Sequence, residues 1–193
     1  VTSSWWAGFI SKKSNIPIKF VKMGILPKYC NKGKPFHLRK YNVGFQGLVH
    51  KHRLDFYNKI EKKGIKIELL KRESFFKFLS TVQNIKIFIY NDNKSLSING
   101  RKQPLHGLWG KSLTVAGRGC FVIRNYDLAA KGYDIDELPT IKTFKNEREV
   151  IPLIQEILNR SDAENNALIS KTVNKLKERN DWQSIINSVN ELI

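Results

Sequence analysis

Short apolar runs alternate with amphipathic segments along the middle of this chain, and this alternation restricts the possible folds more than any other feature. The spacing of apolar residues between the runs is helical. Strands that are joined through helices are parallel, because each connection must cross back over the sheet. The sequence therefore predicts an α/β fold with a doubly wound, mainly parallel, Rossmann-like sheet. Strands are predicted at 41–46, 65–70, 85–90, 120–124 and 140–144, and helices at 52–63, 72–79 and 105–116.

The last third of the chain has a different character, with helical spacing at 147–158, 163–177 and 181–192. Ser161 and Asp181 are suitable N-caps for the second and third of these helices. We predict three parts: an entry segment or linker at 1–35, a Rossmann-like domain at 36–160, and C-terminal helices packing on it at 161–193. The entry segment is predicted to contain a helix at 4–13 and a short strand at 18–21.

The net charge is the unusual feature of the composition. The 193 residues include 34 Lys and Arg against 17 Asp and Glu, which gives a formal charge of +17. Such a surface attracts polyanions such as nucleic acid, anionic lipid or phosphorylated glycans. The lysines are scattered rather than massed, so a lysine-rich composition with no dedicated partner is the alternative. Two cysteines exclude a disulfide scaffold, and no apolar run approaches the ~20 residues of a membrane-spanning helix.

The first candidate for binding is the turn after the 41–46 strand. Gly47 separates this strand from the following helix, and a glycine there lets backbone N–H groups approach an anion at the helix N-terminus. His50 and Arg53 add basic side chains to the turn. The glycine spacing does not fit the dinucleotide-binding fingerprint. An ordinary βα turn with solvated charges is the alternative.

The second candidate is the polar segment 91–104, which we predict to be a loop. Pro104 suits the first turn of the following helix, and this would place Arg101 and Lys102 at the positive end of that helix. A surface loop is the alternative for the segment, and a buried core histidine is the alternative for His106. A metal site at His50 and His52 lacks the ligands to complete it.

The order of these segments resembles the C-terminal, nucleotide-sugar-binding half of GT-B glycosyltransferases, from about residue 16 to the end. Residues 21–27 resemble the segment that enters this half, Val43–Gly47 its first strand and glycine turn, and Gly119–Ile123 a later strand. The family's Glu-x₇-Glu motif falls on His106 and Thr114, neither of which is acidic. In lacking these two acidic residues, the chain is more similar to the divergent spore-coat-type and group 1-like branches of the family.

The resemblance implies transfer of a sugar from a nucleotide diphosphate sugar, the donor substrate, with no obligatory cofactor or metal. Negative charge develops on the leaving diphosphate, and cationic side chains and helix amides stabilise it. It implies catalytic roles for His106 and Lys111, and donor-binding roles for Gly47, His50, Arg53, Asn99, Arg101, Lys102 and Thr114.

The acceptor would be a glycan, a lipid-linked molecule or another polyanion. In the family the acceptor site belongs to an N-terminal half. This chain is thus expected to be a fragment or a partner-dependent module, which by itself binds the donor substrate weakly and catalyses no reaction. The expected location is cytoplasmic, with peripheral contact to the inner face of a membrane as an option.

A basic nucleic-acid-binding protein without enzymatic activity is the alternative function, and it would show affinity that falls steeply with salt. The two hypotheses differ in what they require of the fold. Donor binding requires the loops after the first and third strands to meet, so that their basic groups surround one anion.

Overall fold

Five parallel strands form the central sheet of the computed structural model, in the spatial order β2-β1-β3-β6-β7. The structure describes residues 4–14, 18, 20, 24–91, 95–98, 101–104, 110–179, 183, 186, 187 and 190. A separate antiparallel hairpin, β4-β5, is inserted between β3 and β6. The strands are β1 Tyr41–Gln46, β2 Glu68–Leu70, β3 Ile85–Tyr90, β4 Ser95–Ile98, β5 Arg101–Pro104, β6 Phe121–Asn125 and β7 Ile141–Phe144.

Six α-helices lie in the described residues, and three of them, the second to the fourth, connect strands of the sheet. Short 3₁₀ turns lie at 27–29, 36–38, 128–133, 135–137 and 147–149. The helices are α1 Ser4–Ser11, α2 Lys51–Glu61, α3 Phe75–Val82, α4 Gly110–Gly117, α5 Val150–Asn159 and α6 Asp162–Glu178.

The winding reverses direction beside β1. From β1 the chain goes outward to β2, then crosses back over β1 to β3 and continues through β6 to β7. Because such crossovers are right-handed, α2 lies on one face of the sheet and α3 and α4 lie on the other. The Phe56 ring of α2 stacks on Phe144 at 5.7 Å, and α6 packs against α4. The predicted doubly wound α/β fold with a helical C-terminal portion is confirmed.

The core lies where the central strands are covered on both faces. The side chains of Ile85, Ile87 and Ile89 in β3 are fully buried, as are those of Phe121–Ile123 in β6. Continuous apolar runs of this kind are typical of parallel strands that are covered by helices on both sides. The edge strand β2 is only partly buried.

A buried arginine ties the segment before β1 to the sheet. Arg39 donates to the carbonyls of Lys32 at 2.7 Å and Ile85 at 3.1 Å, and it lies 3.7 Å from the Sγ of Cys120. Burial lowers the pKa of Arg39 and raises the pKa of the Cys120 thiol to about 11, so the thiol keeps its proton at neutral pH. Cys120 is therefore a structural residue that donates to the carbonyl of Val82 at 2.9 Å.

The prediction of a loop over 91–104 was wrong, since β4 and β5 form a hairpin there with Ser95 opposite Pro104. An Asn-Gly pair between two short extended segments is a strong hairpin signal, and it was interpreted as a loop signal. Pro104 accordingly ends a strand and does not begin a helix. The helix predicted at 105–116 is described only as α4 from Gly110 onward, and 105–109 lie outside the described residues.

The helical predictions near the termini have mixed outcomes. The helix predicted at 4–13 is present as α1. Ser161 caps α6 as predicted, in a reciprocal capping box with Glu164. The strand predicted at 18–21, the cap at Asp181 and the helix at 181–192 fall wholly or largely outside the described residues. In the part of the chain that is described, every helix is too short or too polar to cross a bilayer.

Candidate functional site

A cavity of about 650 Å³ opens where the winding of the sheet reverses. The carboxyl ends of β1, β2 and β3 surround it, together with the first turns of α4. In open α/β sheets this crevice is where ligands bind. We call it the switch-point pocket; it is lined by Gln46, Gly47, Leu48, His50, Arg53, Arg72, Glu73, Phe75, Phe78, Tyr90, Lys111 and Thr114.

Arg53 joins the loop after β1 to the end of β3. Its side chain is 5% exposed, and its Nη1 donates to the carbonyl of Leu48 at 2.9 Å. Its Nε donates to the carbonyl of Asn91 at 3.0 Å, and its Nη2 donates to the Tyr90 hydroxyl at 3.3 Å. The beginnings of the loops after the first and third strands therefore meet, because β1 and β3 are neighbours in the sheet.

Three cationic side chains gather around the ring of Tyr90. The Arg53 guanidinium lies 4.8 Å from the ring centroid, that of Arg124 lies 5.4 Å away, and the Lys111 Nζ lies 5.6 Å away. Lys111 Nζ also donates to the carbonyl of Gln46 at 2.6 Å. Aromatic faces and carbonyls stabilise cations without neutralising them. Arg124 also pairs with Asp127 Oδ2 at 2.9 Å, so the positive charge at the end of β3 comes from Arg53 and Lys111.

Gly47 allows the backbone to pass close to Lys111. Its φ is +142°, and a Cβ added there would lie 3.0 Å from the Lys111 Nζ. The turn continues to His50, which precedes α2 and makes no side-chain capping bond. Because the first turn of a helix has N–H groups without intrahelical acceptors, the start of α2 can donate to an anion at this end of the sheet.

Two charged residues follow β2 at the mouth of the pocket. Arg72 is exposed and forms no ion pair with any described residue. Glu73 accepts from Thr81 Oγ1 at 2.8 Å and from Gln46 Nε2 at 2.7 Å, and its other oxygen lies 3.2 Å from Lys77 Nζ. These hydrogen bonds, with that of Thr81 first, lower the pKa of Glu73, so the carboxylate is ionised at neutral pH.

The structure brings together five of the residues predicted for donor binding and catalysis: Gly47, His50, Arg53, Lys111 and Thr114 all line the switch-point pocket. Thr114 Oγ1 donates to the carbonyl of Gly110 at 2.8 Å, as a helical threonine often does.

The remaining four predicted residues have different outcomes. Asn99 and His106 lie outside the described residues. Arg101 and Lys102 lie in strand β5 and not in the predicted loop. Their side chains are not among the described ones, and their contact with a donor stays a prediction.

The sequence analysis missed Gln46, Arg72, Glu73 and Tyr90 as site residues. The helix predicted to begin at Arg72 begins at Phe75, and this error placed Arg72 and Glu73 inside a helix instead of at the end of β2. A signal was present, because a charged pair directly after a short strand lies at the carboxyl edge of a parallel sheet.

Neither a family model nor a curated protein matches the chain significantly. The fold and the pocket therefore define its class by themselves. The chain is a Rossmann-like α/β protein with a cationic pocket at the switch point of its sheet.

Proposed function

We propose that the switch-point pocket binds the diphosphate of a nucleotide diphosphate sugar, and that the chain acts as the donor-binding half of a glycosyltransferase. The observation that carries this proposal is the gathering of Arg53 and Lys111 around Tyr90 beside a glycine turn. A diphosphate is the common biological anion whose charge and size suit such a cluster next to a helix N-terminus.

The proposed chemistry is stabilisation of a leaving group. When the bond between the sugar and the diphosphate breaks, negative charge accumulates on the phosphate oxygens. Lys111 is held in place by the Gln46 carbonyl and the aromatic rings, so it would stabilise that charge with little reorganisation. Arg72 at the mouth would pair with the second phosphate, and the amides at the start of α2 would donate to it.

The sequence pattern adds support that the geometry alone does not. Lys111 and Thr114 occupy α4, just before the Gly119–Ile123 segment that resembles the family. His106, for which a role near the sugar is predicted, lies five positions before Lys111 in the sequence. In this proposal the acceptor, whether a glycan, a lipid-linked molecule or another polyanion, is positioned by residues outside this pocket.

Calorimetric titration with nucleoside diphosphates and monophosphates tests the proposal. We expect one of ADP, GDP, UDP or CDP to bind more tightly than its monophosphate. Arg72→Gln should weaken the binding of that diphosphate about five- to tenfold, because a charge-assisted hydrogen bond is lost. Arg148→Gln is the matched control, because Arg148 is also exposed and does not line the switch-point pocket.

Two results would contradict the proposal. One is equal binding of diphosphates and monophosphates with no effect of Arg72→Gln. The other is binding of any oligonucleotide with an affinity that falls steeply with salt and is indifferent to the pocket variants, which would favour the nucleic-acid alternative.

A further inference from the structure

We infer that Glu73 binds the ribose hydroxyls of the nucleotide, so that the pocket selects ribonucleotides over deoxyribonucleotides. This inference rests on the proposed function and deepens it, because it names a specificity-determining residue that the sequence pattern did not assign. It concerns the one carboxylate among the described residues that line the switch-point pocket.

The position of Glu73 in the fold is the first argument. Glu73 follows β2 after two residues, at the same sheet edge as the Gly47 turn that ends β1. Gln46 joins the two strand ends, since its Nε2 donates both to the Lys71 carbonyl at 3.1 Å and to Glu73 Oε2 at 2.7 Å. In doubly wound folds that bind nucleotides, an acidic residue near the end of the second strand accepts the ribose hydroxyls.

The state of the carboxylate is the second argument. Oε2 is held by Gln46 and Thr81, which fixes the plane of the group. Oε1 lies 3.2 Å from Lys77 Nζ, its one charged partner among the described residues, and the Lys77 side chain is 72% exposed while that of Glu73 is 23% exposed. An ionised carboxylate has about four acceptor positions, so Oε1 retains capacity for a ligand hydroxyl.

The surrounding hydrogen bonding is the third argument. Gln46 is 1% exposed, and its Oε1 accepts no hydrogen bond from any described residue. Because Gln46 Oε1 is itself buried, the carboxylate of Glu73 is the acceptor that a ligand can reach at this corner of the pocket. A ribose brings two hydroxyl donors to this corner, whereas the phosphates would be repelled from it toward Arg72 and Lys111.

The chemistry at α4 is the fourth argument. Thr114 occupies the position where the resemblance places a carboxylate, and its hydroxyl already donates to the Gly110 carbonyl. A single hydroxyl binds a diol more weakly than a carboxylate does. Glu73 lines the same pocket and supplies a carboxylate from the segment that follows β2.

The test compares ribonucleoside diphosphates with their 2′-deoxy and 2′,3′-dideoxy forms by calorimetry on the full chain. For the base that binds best, we expect the ribonucleotide to bind about tenfold or more tightly than the dideoxy form. Glu73→Gln should reduce that ratio toward one. Glu68→Gln is the control, because it removes an equal charge from β2 outside the pocket. Thermal melting verifies that both variants fold.

Each outcome decides a different point. A ribonucleotide preference that Glu73→Gln abolishes and Glu68→Gln keeps supports the inference. If the only role of Glu73 is to stabilise α3 through Thr81, Glu73→Gln weakens the binding of ribonucleotides and deoxyribonucleotides equally. The ratio of the two affinities is then unchanged, and this result overturns the inference. Diphosphate binding with no ribose preference in the wild type also overturns it and leaves the proposed function intact. No binding of any nucleotide overturns both.

Discussion

Gly119→Ala is expected to lower the free energy of unfolding by about 2–5 kcal/mol, the sum of backbone strain and a steric clash with the main chain. Gly119 has φ +81° in the turn before β6. A Cβ there would overlap the Lys32 carbonyl oxygen and would lie 2.9 Å from Arg39 Nη2. Neither neighbour can move easily, because Arg39 is buried and joins that carbonyl to β3. Chemical denaturation, followed by circular dichroism, measures the loss.

Gly64→Ala separates the two contributions to that loss. Gly64 also has a positive φ, +86°, but a Cβ there would meet no atom within 4 Å. Its substitution should therefore cost only the strain of an L-residue in this conformation, about 1–2 kcal/mol. Equal losses for the two variants would show that the packing around Gly119 is not what the structure describes.

Asp127→Ala is expected to cost about 3–5 kcal/mol of stability, because it removes one partner of a buried ion pair. Asp127 Oδ2 accepts from Arg124 Nη2 at 2.9 Å, and the two side chains are 8% and 0% exposed. Asp127 Oδ1 also accepts from the amide of Ala129 at 2.9 Å, which caps the 3₁₀ turn that follows β6. Urea denaturation of the single variant measures the cost.

Two further variants complete this test. Combining Asp127→Leu with Arg124→Met should recover part of the stability, since no charge is then buried without its partner. Glu147→Ala removes the partner of an exposed pair with Lys59 and should cost at most about 1 kcal/mol. A double variant that is less stable than the sum of its singles, or an exposed pair that costs as much as the buried one, would contradict this account of the Arg124 pair.

The parallel sheet could be inferred from the sequence, because apolar runs such as 85–90 are typical of strands that helices cover on both faces. The predicted ends of helices were less accurate where residues outside a helix also fit its helical spacing. Phe75 and Phe76 belong to α3, but the helical spacing in the sequence extends back to Arg72. Arg72 and Glu73 were therefore assigned to the helix and not to the segment after β2.

The site could be predicted only in part for a related reason. Basic residues in a glycine turn, such as His50 and Arg53, are visible as a local pattern. The partners of Glu73 are not, because Gln46 lies 27 positions away in the chain and reaches Glu73 only through the pairing of β1 with β2. Contacts of this kind depend on sheet register, which no local spacing encodes.

Mapping the bound nucleotide onto the backbone by ¹H–¹⁵N NMR tests the central claim most directly. Titration with the tightest-binding nucleoside diphosphate should shift the amide signals of Gly47, Leu48, Arg72 and Tyr90 first and most. Signals from the cleft between α2 and α5, which is lined by Lys59, Lys63 and Arg148 among others, should stay in place. The largest shifts in that cleft, or small shifts spread over exposed lysines throughout the chain, would contradict a diphosphate site at the switch point.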